Sequence, residues 1–226
     1  IMGLLPWTAK VTSRRMEFDG RDLATLSARE RRALIGRDLA MVFQEPSTAL
    51  NPVFTVGWQI IEGLRAHARY SRSEARAKAI DILTRVGIPD AEHRVDYYPH
   101  QFSGGQKQRI VIAMALVLEP EIIVADEPTT ALDVTVQAEI LDLLRRCRDE
   151  FNAAIVLITH NMGVVADLAD RVAVMYQGKI VEEADAISLF HHPTHDYTKR
   201  LLAAVPFIGA GTIKTRERAL ERATAA

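Results

Sequence analysis

The chain has 226 residues, with 28 Lys and Arg against 29 Asp and Glu, a net charge of −1 that offers no basic excess to a nucleic acid or other polyanion. One cysteine, Cys147, excludes an intrachain disulfide and any cysteine metal cluster, and suits a reducing compartment. The longest apolar run, residues 110–118, is closed by Glu119 and Pro120 and is far too short to span a bilayer.

Taken in chain order, Ser27 and Glu30 form a capping box that opens a short helix over 31–35. "DLAMVF" (38–43) is short, apolar and unalternated, as a strand covered on both faces is. Residues 46–118 show no strand pattern and are expected to form a mostly helical lobe inserted into a sheet. Within it Ser71 and Glu74 form a second capping box. Ala79, Ile80, Leu83 and Val86 then share one helix face, and Gly87 ends that helix. "EIIVAD" (121–126) and "AAIVLIT" (153–159) read as two further buried strands. Between them Asp133 caps a helix over 134–151. Its Val136, Ile140, Leu143, Leu144, Cys147 and Phe151 form one apolar stripe, so Cys147 reads as an inert core thiol. Residues 171–176 and 179–183 bracket Gln177-Gly178 as a hairpin, and the tail after Pro206 reads as loosely ordered. Strands alternating with helices predict an α/β fold with a parallel sheet.

The chemistry gathers at strand ends. "IIVADEP" delivers Asp126 and Glu127 to the C-terminal edge of a sheet, where ligands bind in open α/β folds. Alternation along the strand predicts that the two carboxylates diverge, one to help hold Mg²⁺ and the other to polarise a water. "LAMVF" ends in Gln44, whose carbonyl can ligate Mg²⁺, and "IVLITH" ends in His160, which can donate to a phosphate. "FSGGQKQR" (102–109) opens a helix on Ser103, Gly104, Gly105 and Gln106. Its outward N–H groups, helix dipole and missing Cβ atoms fit an anion. The phosphate cradle G-x-x-x-x-G-K-[ST] occurs nowhere in these residues.

In order and spacing, across residues 18–183, these motifs resemble the ATP-binding-cassette (ABC) ATPases. "FSGGQKQR" is similar to their signature motif, "IIVADE" to Walker B, "TALD" (130–133) to the D-loop, His160 to the switch histidine and "VFQ" to the Q-loop. "FQEPSTALNPVFTVGWQI", "DEPTTALDVTVQ" and "HHPTHDYTKRLLAAVP" further resemble the oligopeptide, dipeptide and nickel importer branch. The resemblance implies a P-loop NTPase-like, mostly parallel sheet with an inserted helical subdomain and without its N-terminal strands and P-loop. The divisions it implies are a partial RecA-like core at 1–45, the helical signature subdomain at 46–118, core again at 119–184, and a peptide-importer extension and tail at 185–226.

The resemblance also implies ATP and Mg²⁺ as ligands and a second cassette, head to tail, as partner. Transmembrane permease subunits and, indirectly, an extracytoplasmic solute-binding protein complete the assembly; no nucleic acid is involved. The location implied is peripheral, at the cytoplasmic face of the cell membrane. Glu127 is then the water-polarising carboxylate, Asp126 the holder of Mg²⁺ through water, and Gln44 the link from metal to helical lobe. His160 stabilises the γ-phosphate, and Asp133 ties two sites across the dimer. Ser103, Gly104, Gly105 and Gln106 bind the γ-phosphate of ATP held chiefly by the partner.

Ile1–Pro6 resembles the end of the helix that follows the family's phosphate cradle, so about forty to fifty residues are expected to precede Ile1. Without that cradle these residues are expected to bind ATP poorly and not to hydrolyse it. The cradle's strand is central, so its loss is also expected to expose apolar edges of its neighbours. No Cys follows "LLAAVP", so no iron–sulfur cluster is carried over from the family. His191, His192 and His195 read as a solvated turn, Trp58 as packing in the helical lobe, and Trp7 as surface or core. Lys107 and Arg109 read as stabilising the lobe rather than binding phosphate. Two other readings are a degenerate, non-enzymatic cassette that completes a partner's site, and a non-transport ABC ATPase. Glu127 and His160 argue against the first. The C-terminal extension, with no coiled-coil insert, zinc cysteines or second cassette, argues against the second.

Overall fold

The computed structural model describes residues 2–130 and 132–204, which divide into two units between Ile158 and Thr159. In the first unit, residues 2–16 form neither helix nor strand, so the helix expected through Pro6 is absent from residue 2 onward. Gly3 at φ +68° and the ring of Pro6 both oppose helical continuation. Next comes a hairpin with no counterpart among the expected strands, β1 (Glu17–Phe18) against β2 (Arg21–Asp22). Asp19 and Gly20 join the strands at φ +49° and +71°, the positive angles a tight two-residue turn requires. Helix α1 (Ala28–Leu34) starts on the Ser27–Glu30 capping box, both halves of which are formed. It packs Leu34 with Leu23 and Leu39 in a small core that Met2, Met16, Phe18, Leu26 and Ile122 border.

Strand β3 (Leu39–Val42) leads into six successive helical segments with no intervening strand among the described residues. They are α2 (Pro46–Ala49), α3 (Val56–His67), α4 (Arg72–Arg85), α5 (Ala91–Arg94), a 3-10 turn at Pro99–Gln101, and α6 (Gly104–Leu116). The Ser71–Glu74 box caps α4, and Gly87 at φ +82° turns the chain after it. Ile60, Leu64, Leu83, Ile110 and Leu116 are fully buried where these helices meet. Each such side chain contributes about 1.5–3 kcal/mol of burial.

Strand β4 (Ile122–Asp126), α7 (Val134–Phe151) and β5 (Ala154–Ile158) complete the first unit. The sheet order is β3-β4-β5, all parallel, with Val42 paired to Ala125 and Asp126 to Ile158. α6 packs on β3 and α7 on β5. Of the α7 stripe, Ile140, Leu143, Leu144 and Cys147 are buried while Val136 and Phe151 are half-buried, and burial pushes the Cys147 thiol up to about 12.

β5 departs from the expectation of strands covered on both faces. Its exposure alternates, and Val156 and Ile158 are 47% and 48% exposed. β5 is an edge strand of three, and the face bearing Ile122, Val124 and Asp126 of β4 continues onto Ala154, Val156 and Ile158. Among the described residues the small core reaches that face only at Leu39 and Ile122.

The second unit holds α8 (Met162–Leu168), the hairpin β6 (Arg171–Tyr176) and β7 (Lys179–Asp185), α9 (Ala186–His191) and α10 (Asp196–Ala203). Gln177 and Gly178 turn the hairpin at positive φ, as the sequence implied. The tail after Pro206 lies outside the described residues. No helix among the described residues is long and apolar enough to cross a membrane.

Candidate functional site

Two strands of the parallel sheet bring their C-terminal ends level. Continuing the β3–β4 register by two residues sets Gln44 beside Glu127, and Gln44 Nε2 donates to Glu127 Oε2 at 3.0 Å. The same oxygen accepts from Thr130 Oγ1 at 2.8 Å. Glu127 N donates to Ile158 O at 2.9 Å, so the end of β5 holds the backbone of this turn as well.

Strand alternation does not govern the relation of Asp126 to Glu127. Asp126 is the last residue of β4, whereas Glu127 has left the strand at φ +44°, the left-handed region that a Glu seldom occupies. Among the described residues the half-buried Asp126 carboxylate meets no hydrogen-bond or ion-pair partner. Gln44, with its amide nitrogen committed to Glu127, presents its oxygen as the acceptor for a cation. No cluster of three or more His, Cys, Asp or Glu forms a metal cage among the described residues. One carboxylate and one amide oxygen fit Mg²⁺, which keeps waters and takes substrate phosphates as its other ligands.

The start of α6 is a capping box too, written in the sequence as S-x-x-Q. Ser103 Oγ accepts from Gln106 N at 3.3 Å, and Gln106 Oε1 accepts from Ser103 N at 3.2 Å. Both side chains assigned to phosphate therefore engage each other here. The first N–H groups of the helix, from Gly104 and Gly105, have no intrahelical carbonyl to meet.

The two glycines have different physical reasons. A Cβ on exposed Gly104 would meet nothing within 4 Å, which leaves room for an anion. A Cβ on Gly105 would lie 2.6 Å from Val136 Cγ1 of α7, so its small size serves helix packing rather than ligand approach. Arg109 anchors the helix, as expected: Nη1 donates to Val86 O at 2.7 Å and Nη2 to Glu139 Oε2 at 2.8 Å. Lys107 is half-buried. Asp133 is the N-cap of α7, accepting from Val136 N at 3.0 Å.

In the second unit, exposed His160 stands just before α8, and the cap is its neighbour Asn161, which accepts from Gly163 N at 3.0 Å. The three histidines of the extension have structural neighbours. The His191 and His192 rings tilt against each other, and His195 Nδ1 accepts from Tyr197 N at 3.1 Å to cap α10. Glu182 of β7 holds the same helix start, accepting from Thr194 N at 2.7 Å, Thr194 Oγ1 at 2.8 Å and His195 N at 3.0 Å. Burial works against its charge, but the donors, with Thr198 adding to the pull, bring its carboxyl down to about 2. In the first unit Trp58 stacks on Phe54 at 4.0 Å and remains 44% exposed, while Trp7 is 95% exposed and packs into no core.

A parallel sheet with helices, a carboxylate pair at its C-terminal edge and a glycine-led helix start is the architecture of ABC cassettes of the P-loop NTPase fold. The dimeric post-hydrolysis structure of the ATP-binding cassette MJ0796, bound to ADP and Pi, matches with a TM-score of 0.63 and 30% identity, over 75% of this chain and 72% of that one. A family model described as ABC transporter matches residues 1–130, more than half the chain, and the chain belongs to that family. It is 50% identical over 206 residues to the dipeptide transport ATP-binding protein DppD of Escherichia coli (strain K12), covering 91% of this chain and 63% of that protein. With the glutathione import ATP-binding protein GsiA of Escherichia coli O157:H7 it shares 52% identity over 201 residues, covering 89% of this chain and 32% of that protein. The chain thus spans less than two thirds of the length of these relatives.

Proposed function

We propose that this chain is part of the ATP-hydrolysing subunit of an importer for short peptides, peripheral at the cytoplasmic face of the membrane. The observation that carries the reading is the 3.0 Å bond from Gln44 to Glu127. It joins two strand ends at one edge, beside an Asp126 carboxylate that meets no partner among the described residues. Glu127 polarises the attacking water and takes its proton as the γ-phosphoryl leaves. Asp126, through water, and the Gln44 oxygen would hold Mg²⁺, which when bound would neutralise phosphate charge. By its likeness to the switch histidine, His160 stabilises the γ-phosphate. Ser103, Gly104, Gly105 and Gln106 close over the nucleotide of a second cassette arranged head to tail, and Asp133 links the two sites. Closure and opening of that dimer move the permease subunits, which receive solute from an extracytoplasmic binding protein. The dipeptide and glutathione relatives favour peptides over nickel as cargo.

The test is ATP turnover by the assembled transporter carrying Glu127→Gln. Turnover falls by about 100-fold or more while ATP binding persists; turnover close to wild type refutes the assignment. Because no phosphate cradle occurs in these 226 residues, they bind ATP weakly by themselves. A micromolar affinity by calorimetry refutes that.

A further inference from the structure

We propose that Thr130 is a positioning residue that sets the Glu127 carboxylate for its water, independently of Gln44. This rests on the reading of Glu127 as the water-polarising group. Both donors reach Glu127 Oε2, but they reach it by different routes. Gln44 is exposed and comes from β3, two residues ahead of α2, so its contact depends on how that lobe lies against the sheet. Thr130 belongs to the same tight turn as Glu127. Its N–H donates to Glu127 O at 3.1 Å while its hydroxyl donates to the carboxylate at 2.8 Å.

The two residues between them, Pro128 and Thr129, are both buried, and Pro128 fixes its own φ. The turn is therefore held from inside, and the hydroxyl stays on Oε2 when Gln44 moves away. A β-branched residue suits this post, because its restricted χ1 keeps the hydroxyl aimed. The left-handed backbone of Glu127 makes such a tether necessary. A strand end that departs at φ +44° leaves the direction of the side chain to local contacts rather than to the pleat.

The experiment compares Thr130→Val, Thr130→Ser and Glu127→Gln in the assembled transporter, reading kcat and KM for ATP. Valine keeps the shape and removes the donor: kcat falls about tenfold or more, the scale of a displaced catalytic group, with KM within about twofold. Serine keeps the donor and restores kcat to within about threefold of wild type. Thr130→Ala replaces the valine variant if that one does not fold. Full activity in a folded hydroxyl-less variant, while Glu127→Gln is inactive, overturns the role of Thr130 and leaves Glu127 standing. A serine variant as slow as valine also overturns it, because the hydroxyl then does not matter. An active Glu127→Gln instead overturns the reading beneath both.

Discussion

The contrast between Gly104 and Gly105 yields the sharpest prediction. Adding a methyl at Gly105 places a Cβ 2.6 Å from Val136 Cγ1, about an ångström inside ordinary carbon contact. Val136 lies in the first turn of α7, where a valine has essentially one χ1 rotamer, so its methyl does not swing aside without strain. Overpacking of this kind costs about 1–3 kcal/mol, against about 0.5–1 kcal/mol gained when Ala replaces Gly in a helix. Gly105→Ala is therefore destabilised by about 1–2 kcal/mol in urea denaturation. Gly104→Ala, with nothing within 4 Å of the new methyl, is neutral to stabilised by up to about 1 kcal/mol. Val136→Ala opens the space and couples to Gly105→Ala by about 1 kcal/mol or more in a double-mutant cycle. Gly105→Ala as stable as Gly104→Ala, or an additive double mutant, refutes the packing account of Gly105.

Two further outcomes follow from other contacts. Arg109→Met keeps the stem but strips the donor from the Val86 carbonyl, and costs about 1–3 kcal/mol in the same assay. Glu139→Gln costs less than about 1 kcal/mol, because that carboxylate is 52% exposed; equal losses contradict the assignment of the energy to the buried carbonyl. For Glu182→Gln the penalty at neutral pH is about 1–2 kcal/mol, reduced by the partial exposure of the site. The wild-type carboxyl is depressed from 4.5 to about 2, so its advantage is full above the unfolded value and fades as pH falls toward about 2. Thermal unfolding of both proteins at pH 7 and 2.5 checks this, and a gap that widens in acid refutes it.

The strands and long helices were legible because their signals are local. "DLAMVF" and "EIIVAD" are apolar in every register, and Ser27, Ser71 and Asp133 announce the helices they cap. Two further signals are equally local, the Asp19-Gly20 turn and the reciprocal box of Ser103 and Gln106. Other features were not written locally. The bare side of β5 depends on which neighbours cover a sheet, and "AAIVLIT" reads the same with or without them. The reason for Gly105 lies in Val136, thirty-one positions away. For the site, strand ends predicted the edge that Gln44, Asp126 and Glu127 occupy, but strand alternation does not reach Glu127, which has left β4. Glu is an uncommon left-handed residue, and nothing in "ADEP" marks it as one.

That kink at Glu127 has a consequence for how the protein can drift. A non-glycine residue confined there costs of order 1 kcal/mol or more, which Gly or Asn would largely relieve. Selection for robustness alone would thus favour discarding the acid at this position, and on the proposed function selection for turnover opposes it. On the proposed function, the carboxylate that polarises the water sits on one of six non-glycine residues held at positive φ among the described residues.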